Sequence, residues 1–379
     1  MNIGVLKETS LCERRVGLIP ASVRRLVEDG HRVWVERGAG DRSHFPDRSY
    51  EAAGGGIAFS AAEVIDRCEL LVKIERPARE ELELLHPHQT VLAFFHMVVA
   101  GQEEVQRVLD KSVTTIGYEI IETPDGRLPV LEPISEIAGQ MAVAVAGHLL
   151  RSTSGGKGIL LVGAPGIAPA RVVILGAGVV GSWAARTALN SGALTFVLDN
   201  DVSKLRRLLA VAPGAITGLA DTDTVREAVR RADVLIGAVL LHGERTPHLV
   251  TRAMVETMQA GSVVVDVSID QGGCVETSRP TSLADPVFLH NGVLHYCVPN
   301  MTADIAHTAS AALSQTSLPY ILELAGRGVE QALEHCPDLV HAVYTFAGEC
   351  THQPLAERWH LRSRDIHSLV GQTADTFNL

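Results

Sequence analysis

No two of the six cysteines in this 379-residue chain stand at metal-finger or Cys-x-x-Cys spacing, so neither a structural zinc site nor a dithiol redox motif is expected, and no metal is invoked. Cys12, Cys68, Cys274, Cys297, Cys336 and Cys350 read as reduced thiols used for packing. The chain does not open on a charged leader with a long apolar core; Met1-Asn2-Ile3-Gly4-Val5-Leu6-Lys7-Glu8 is a short apolar strand followed by charge. Nor does any apolar run suit a bilayer. The most hydrophobic stretch, residues 159–185, is broken by Pro165, Pro169, Arg171 and several glycines, which would expose polar backbone and charge in lipid. Basic excess is missing too: 33 lysines and arginines face 44 acids, and the net charge of -11 argues against a nucleic-acid or anionic-membrane partner. What remains is a cytoplasmic protein whose partners are small molecules or further copies of itself. Repeats at solenoid spacing and low-complexity segments are likewise absent.

What is present is an α/β composition. The chain is 46% hydrophobic and 20% charged with 34 glycines, as a protein with many tight strand-to-helix turns requires. Its length suggests two domains, possibly three. Residues 3–6 read as a strand, 20–29 as a helix opened by Pro20 and closed at Gly30, and 31–36 as a second strand. A helix-like run over 60–68 leads into the apolar segment 69–74, and 90–96 repeats that form. The spacing of Ile137, Met141, Val145, Leu149 and Leu150 predicts a long amphipathic helix over 135–151, followed by turns to Pro169. A second series follows, with strand 171–175, helix 179–191, strand 195–198, helix 222–231 and strands 234–238 and 262–267. The tail from about Ala303 is mainly helical in pattern and is expected to return to the amino-terminal domain. The fold class is therefore α/β with two Rossmann-like lobes, a central doubly wound parallel sheet inserted between two segments of the other domain. The boundaries expected are 1–133, 134–302 and 303–379.

The strongest motif lies at the head of the second series. Val172-Val173-Ile174-Leu175-Gly176-Ala177-Gly178-Val179-Val180-Gly181 places G-x-G-x-x-G after an apolar strand and at the mouth of a helix. Gly176 serves the tight turn, Gly178 the approach of a pyrophosphate, and Gly181 the close packing of helix on strand, while Val179 begins a helix whose free N–H groups attract anions. Strand 195–198 ends at Asp199, where a carboxylate accepts hydrogen bonds from ribose hydroxyls and repels a 2′-phosphate. NAD is therefore favoured over NADP, although Lys204 offsets part of that field. A lone glycine triplet would serve packing as readily as a ligand; the strand, helix and terminal acid in register tip the balance. Val239, just after strand 234–238, is expected to pack on the cofactor.

Beyond this turn, motifs along nearly the whole chain resemble the alanine dehydrogenase family, which shares its fold with the substrate-side domain of proton-translocating NAD(P) transhydrogenase. They are Lys7-Glu8-Thr9 with Glu13-Arg14-Arg15-Val16 and Pro20, Leu71-Val72-Lys73-Ile74, Phe94-Phe95-His96, and Pro133-Ile134-Ser135-Glu136-Ile137-Ala138-Gly139. Ser268-Ile269-Asp270-Gln271-Gly272-Gly273, Glu276-Thr277-Ser278-Arg279-Pro280-Thr281 and His295-Tyr296-Cys297-Val298-Pro299-Asn300-Met301 complete the set. The resemblance implies NAD-dependent oxidative deamination of L-alanine to pyruvate and ammonium, and the reverse. It also implies a hexamer. A 2-oxo acid needs a cation for its carboxylate, a proton donor for its ketone and a base for water or ammonia. The resemblance assigns Arg15 to the carboxylate, Lys73 to carboxylate and carbonyl oxygen, His96 to proton transfer, and Asp270 to activating water or ammonia. Outside the motif, Arg15 would pass for a solvated arginine, Lys73 for a strand-end lysine, His96 for a core histidine and Asp270 for a turn aspartate. Ser135 resembles a pyrophosphate contact, and Ile269, Asn300 and Met301 resemble residues beside the nicotinamide and its ribose.

Some positions depart from the family. Asn300-Met301 is followed by Thr302-Ala303-Asp304-Ile305-Ala306-His307-Thr308 rather than by proline and a small-residue loop ending in arginine and threonine. Met97, Val98 and Val99 are bulky after His96, and Ile134 stands where methionine is usual. None removes a charged group, but all bear on pocket shape. The alternatives are a relative acting on another 2-oxo acid or a cyclic amine, a transhydrogenase-type subunit that hands hydride to another nucleotide, and a non-catalytic NAD sensor.

Overall fold

The structure is a computed structural model that describes residues 1–239 and 246–373. It divides into two compact units, Met1–Ile134 with Ile305–Leu379, and Ser135–Asp304. In chain order the strands are β1 (Asn2–Val5), β2 (Arg32–Glu36), β3 (Gly56–Ala58), β4 (Leu70–Glu75), β5 (Thr90–Phe94) and β6 (Thr114–Gly117). There follow β7 (Arg171–Leu175), β8 (Leu194–Asp199), β9 (Ile216–Leu219), β10 (Val234–Gly237), β11 (Val263–Asp266), β12 (Val287–His290) and β13 (Val293–Tyr296), then β14 (Val343–Phe346) and β15 (Glu349–Cys350).

In the first unit the sheet order is β15-β14-β6-β5-β4-β1-β2-β3. Strands β1 to β6 are parallel and the last two antiparallel. Buried on both faces, β4 and β5 are almost continuously apolar, as parallel strands covered by helices must be. Side-chain alternation divides them between two cores: Leu70, Val72 and Ile74 face one, Leu71 the other. Local signals start the helices. Pro20 sits at the first turn of Pro20–Glu28, and the Ser60 side chain accepts the Glu63 N–H at 3.2 Å to cap Ala61–Arg67.

The second unit has the order β12-β13-β11-β10-β7-β8-β9, with only β12 antiparallel. With the antiparallel β12 left out of the count, both sheets contain the doubly wound order 3-2-1-4-5-6, which reverses direction between β1 and β4 in one unit and between β7 and β10 in the other. Ligands of such sheets bind beyond the carboxyl ends of the strands at that reversal.

Several elements differ from the sequence reading. The tail is mainly helical as expected, but after the long helix Ala306–Arg327 the short strands β14 and β15 extend the first sheet. The four residues Val343-Tyr344-Thr345-Phe346 are β-branched or aromatic, but so short a strand carries little periodic signal between helices. The hairpin of β12 and β13, the strand β9 and the helix Val202–Val211 also lie where no element was expected. The helix expected over 135–151 begins earlier, at Glu132, and ends at Leu149.

Candidate active site

In the second unit, the turn after β7 uses its three glycines differently. A Cβ on Gly176, whose φ is +101°, would lie 2.3 Å from the Ala238 carbonyl oxygen, and one on Gly181 would lie 1.9 Å from that of Gly176. These two close the turn and seat helix Val179–Asn190 on the strand. At Gly178, the N-cap, an added Cβ would meet nothing within 4 Å. The helix start is therefore open to an approaching group, while its first N–H donors point outward. Asp199 ends β8 and braces the turn: its Oδ2 accepts the Ala177 N–H at 2.7 Å and its Oδ1 the Asp201 N–H at 2.8 Å. Each oxygen retains a further lone pair, so the carboxylate fits a ribose diol. Lys204 lies on the next helix, half-buried. An anion-attracting helix start, an uncrowded glycine and a strand-end acid together fit a dinucleotide.

Other expected cofactor residues cluster around the same sheet ends. The Val239 N–H donates to Ser268 Oγ at 2.9 Å, next to the buried Ile269. Asp270 lies in the single 3₁₀ turn Val267–Gln271 that follows β11, and its Oδ1 accepts the Asn300 N–H at 3.1 Å. Asn300 adopts the left-handed region with φ +52°, and Met301 behind it is buried. Ser135 is on helix Glu132–Leu149; one turn later Gly139 packs so tightly that its Cβ would lie 2.3 Å from the Val180 carbonyl oxygen. The helix bearing Ser135 therefore rests on the helix that starts at Val179.

The first unit carries a charge cluster around the carboxyl ends of β1 and β4. Arg15 is 2% exposed, not solvated. Its Nε donates to Glu13 Oε1 at 2.8 Å and its Nη2 to Glu13 Oε2 at 2.6 Å, while the Arg15 backbone N–H also reaches Glu13 Oε1 at 2.9 Å. Burial works against the guanidinium charge, but Glu13 outweighs it and, with smaller help from Glu75 and Glu8, holds the Arg15 pKa above its ordinary value. Next along the chain, the Val16 N–H donates to Ser310 Oγ at 2.9 Å on the long helix, so the segment bearing Arg15 is pinned. Glu13 thus occupies the side-on edge of the fork, made of Nε and Nη2.

Lys73 is expected at the end of an apolar strand, with its ammonium on the substrate carboxylate and carbonyl oxygen. It lies two residues inside β4 and is 1% exposed, and its Nζ meets Glu81 Oε1 at 2.9 Å, Glu8 Oε2 at 3.4 Å and the Lys7 carbonyl oxygen at 3.4 Å. The ammonium donates to Glu81 and to the Lys7 carbonyl oxygen and is ion-paired to Glu8. Burial alone would lower its pKa; Glu8 and Glu81 reverse this and raise it. Three buried carboxyls, Glu8, Glu13 and Glu81, thus face two buried cations. The imbalance falls on Glu8, whose pKa burial pushes up to about 7 against the pull of Lys73. Beyond a register shift in β4, Glu75 pairs with Phe94 and is half-buried. Burial and then Glu13 raise its pKa, and Arg15 opposes them. The sequence assigns none of these acids a role; Glu75 within β4 and Glu8 soon after β1 carry a signal, since an unpaired charge there is costly, whereas Glu13 in a loop and Glu81 on helix Arg79–Leu84 carry none.

His96 follows β5 after Phe95 and adopts φ +47°, a conformation that costs a residue with a side chain about 1–2 kcal/mol. Its ring stacks on Phe94 at 5.9 Å, and more than a third of its side chain is exposed. Behind it lies Glu119, just past β6 and 9% exposed, which accepts the His96 N–H at 2.6 Å, the Phe95 N–H at 3.3 Å and the Tyr344 hydroxyl at 2.8 Å. Arg15 and Lys73 thus share one cluster through Glu8, His96 has its own carboxylate one strand over, and Asp270 and Asn300 form a pair in the second unit.

Comparison with known proteins identifies the family. Residues 4–138 match the family described as Alanine dehydrogenase/PNT, N-terminal domain, and residues 142–353 match Alanine dehydrogenase/PNT, C-terminal domain. The alanine dehydrogenase of Halomonas elongata is 42% identical over 373 residues, spanning 98% of this chain and 100% of that protein. A solved L-alanine dehydrogenase superposes with a TM-score of 0.91 at 40% identity, covering 95% of this chain and 99% of its own. The transhydrogenase from Sinorhizobium meliloti superposes with a TM-score of 0.78 at 26% identity, covering 93% and 99%.

Proposed function

This chain belongs to the Alanine dehydrogenase/PNT family, and from that membership and its strand-end residues we propose that it interconverts L-alanine with pyruvate and ammonium. In the oxidative direction alanine and water yield pyruvate, ammonium and a proton, and NAD, when bound, supplies the acceptor for the hydride. The observation that carries the reading is the buried, pinned guanidinium of Arg15 on the same sheet end as the accessible imidazole of His96. A small 2-oxo acid presents one carboxylate and one ketone, and these two groups match them.

In this reading Arg15 holds the substrate carboxylate and Glu13 fixes the plane of the guanidinium. Lys73, held by Glu8 and Glu81, is assigned with Arg15 to the substrate carboxylate and to the carbonyl oxygen. His96 gives a proton to the carbonyl oxygen during reductive amination and takes it back during deamination. In deamination Asp270 accepts a proton from the water that attacks the imine carbon and passes it to the nitrogen, which leaves the carbinolamine as ammonia; in reductive amination ammonia adds and water leaves by the reverse of these steps. Gly178, Val179 and Ser135 are assigned to the pyrophosphate, with Gly176 and Gly181 shaping the turn that presents them, Asp199 and Lys204 to the adenosine ribose, and Val239, Ile269, Asn300 and Met301 to the nicotinamide end. Asp199 favours NAD over its 2′-phosphorylated form because a phosphate would meet like charge.

We further read the chain as a cytoplasmic homo-oligomer, a hexamer by family resemblance. Leu160, Val162 and Ile167 are exposed apolar side chains close together in sequence, which suits a surface covered by another copy; light scattering of the purified protein tests the assembly. Among the described residues no helix is long and apolar enough to cross a membrane.

The deciding assay follows NADH and NADPH oxidation separately with pyruvate and ammonium, alongside longer 2-oxo acids and a cyclic imine. Ammonium-dependent NADH oxidation with pyruvate is expected to exceed the others. Turnover without ammonium, or preference for the imine, would refute the assignment.

A further inference from the structure

We propose that Glu119 is a positioning residue for His96, acting through the peptide backbone as well as the ring, with Tyr344 fixing the carboxylate from behind. The inference rests on the proton-transfer role proposed above for His96. After β5 ends at Phe94, the chain turns, and His96 takes a left-handed backbone conformation at φ +47°. That turn leaves two successive N–H groups, of Phe95 and His96, aimed at one point. Glu119 fills it, accepting them on Oε2 at 3.3 Å and Oε1 at 2.6 Å. Consecutive N–H groups in such a turn form an anion-binding nest, and here the anion is a side chain from the neighbouring strand end. The same Oε1 lies 4.0 Å from His96 Nδ1 and accepts the Tyr344 hydroxyl at 2.8 Å.

One carboxylate therefore determines where the His96 Cα sits and what electrostatic environment Nδ1 meets, while Nε2 is the ring nitrogen farther from it. Glu119 is almost wholly buried, whereas the His96 side chain is more than a third exposed, so the acid stands behind the imidazole and does not itself face solvent. Tyr344 is buried at 2% exposure on β14, a strand from the far end of the chain, and contacts the His352 ring at 4.8 Å. Its hydroxyl donates to Glu119, so the carboxylate cannot rotate without breaking that bond. The carboxyl-terminal β14 thus helps place a residue 248 positions earlier in the chain (344 minus 96). A buried acid used only for packing would be a costly choice; three donors and a strained neighbour give this one a purpose.

The test is a double-mutant cycle on the purified full-length protein with Glu119→Gln and His96→Ala, read in kcat, pyruvate KM, NADH affinity and the solvent deuterium isotope effect. Glutamine keeps the shape but presents an NH₂ where one of the two backbone N–H groups needs an acceptor. Displacement of the imidazole by a fraction of an ångström is expected to lower kcat by about 10- to 100-fold and raise the isotope effect, with KM and NADH affinity changed less than about threefold. Because Glu119 acts through His96, the double variant should be no slower than His96→Ala alone. Should Glu119→Gln not fold, Tyr344→Phe takes its place, with a kcat loss of about fivefold that also vanishes in the His96→Ala background. Losses that multiply in the double variant, or a kcat unchanged by Glu119→Gln, would overturn the proposal while leaving His96 in its role. If His96→Ala itself keeps full turnover, the parent assignment falls and this one falls with it.

Discussion

Adding one methyl group at each of two glycines separates ligand binding from folding. Gly178 has φ −73° and ψ −163°, which alanine adopts without strain, and its Cβ would project into open space. Alanine is a poorer N-cap than glycine but lowers the entropy of the unfolded chain, so Gly178→Ala should change stability by less than about 1 kcal/mol. The same methyl would stand where a pyrophosphate approaches the helix start. NADH affinity should therefore fall at least tenfold, a loss of about 1.4 kcal/mol. Gly181→Ala is the opposite case: its Cβ would lie 1.9 Å from a backbone oxygen that cannot swing away. Overpacking of this kind costs about 3 kcal/mol or more, which for a unit of this size lowers Tm by about 6–12 °C. Circular dichroism melts and NADH fluorescence titrations on both variants decide the matter. Unchanged NADH affinity in a folded Gly178→Ala would show that the pyrophosphate does not sit at this helix, and a melt as low as that of Gly181→Ala would show that Gly178 serves packing.

Arg15→Lys keeps the charge but loses the planar fork, so pyruvate KM should rise about tenfold or more with NADH affinity unaltered; an unchanged KM in steady-state kinetics would remove Arg15 from the carboxylate. Asp199→Asn retains an acceptor for the turn while deleting the charge, and the ratio of kcat/KM for NADPH over NADH should climb about tenfold; a static ratio would mean that another group reads the ribose. Glu8→Gln tests the charge cluster by pH. The native fold holds the Glu8 proton more tightly than the unfolded chain, with a pKa of about 7 against 4.5, so this group's contribution is fully present below about 4.5 and is lost as pH rises through about 7. The stability of Glu8→Gln relative to the parent should accordingly improve between those limits by at most about 3 kcal/mol and level off above them. Urea unfolding at a series of pH values measures it, and a difference independent of pH would show that Glu8 titrates normally.

The parts of this protein legible in the chain are those governed by neighbours in sequence. Apolar runs marked β1, β4, β5, β7, β10 and β11, Pro20 and Ser60 marked helix starts, and the spacing of Gly176, Gly178 and Gly181 announced a turn, because strand burial, capping and φ preferences act over a few residues. Arg15, Lys73, His96 and Asp270 stood out only through the family resemblance, and their partners not at all. Tertiary structure alone decided that Lys73 turns inward to Glu8 and Glu81, that Glu13 grips Arg15, and that Glu119 with Tyr344 stands behind His96. It alone brought β14 to the edge of β6. The reason is energetic: a buried charge must find a counter-charge or donors wherever the fold supplies them, and here that was as much as 225 residues away, beyond the reach of any local pattern.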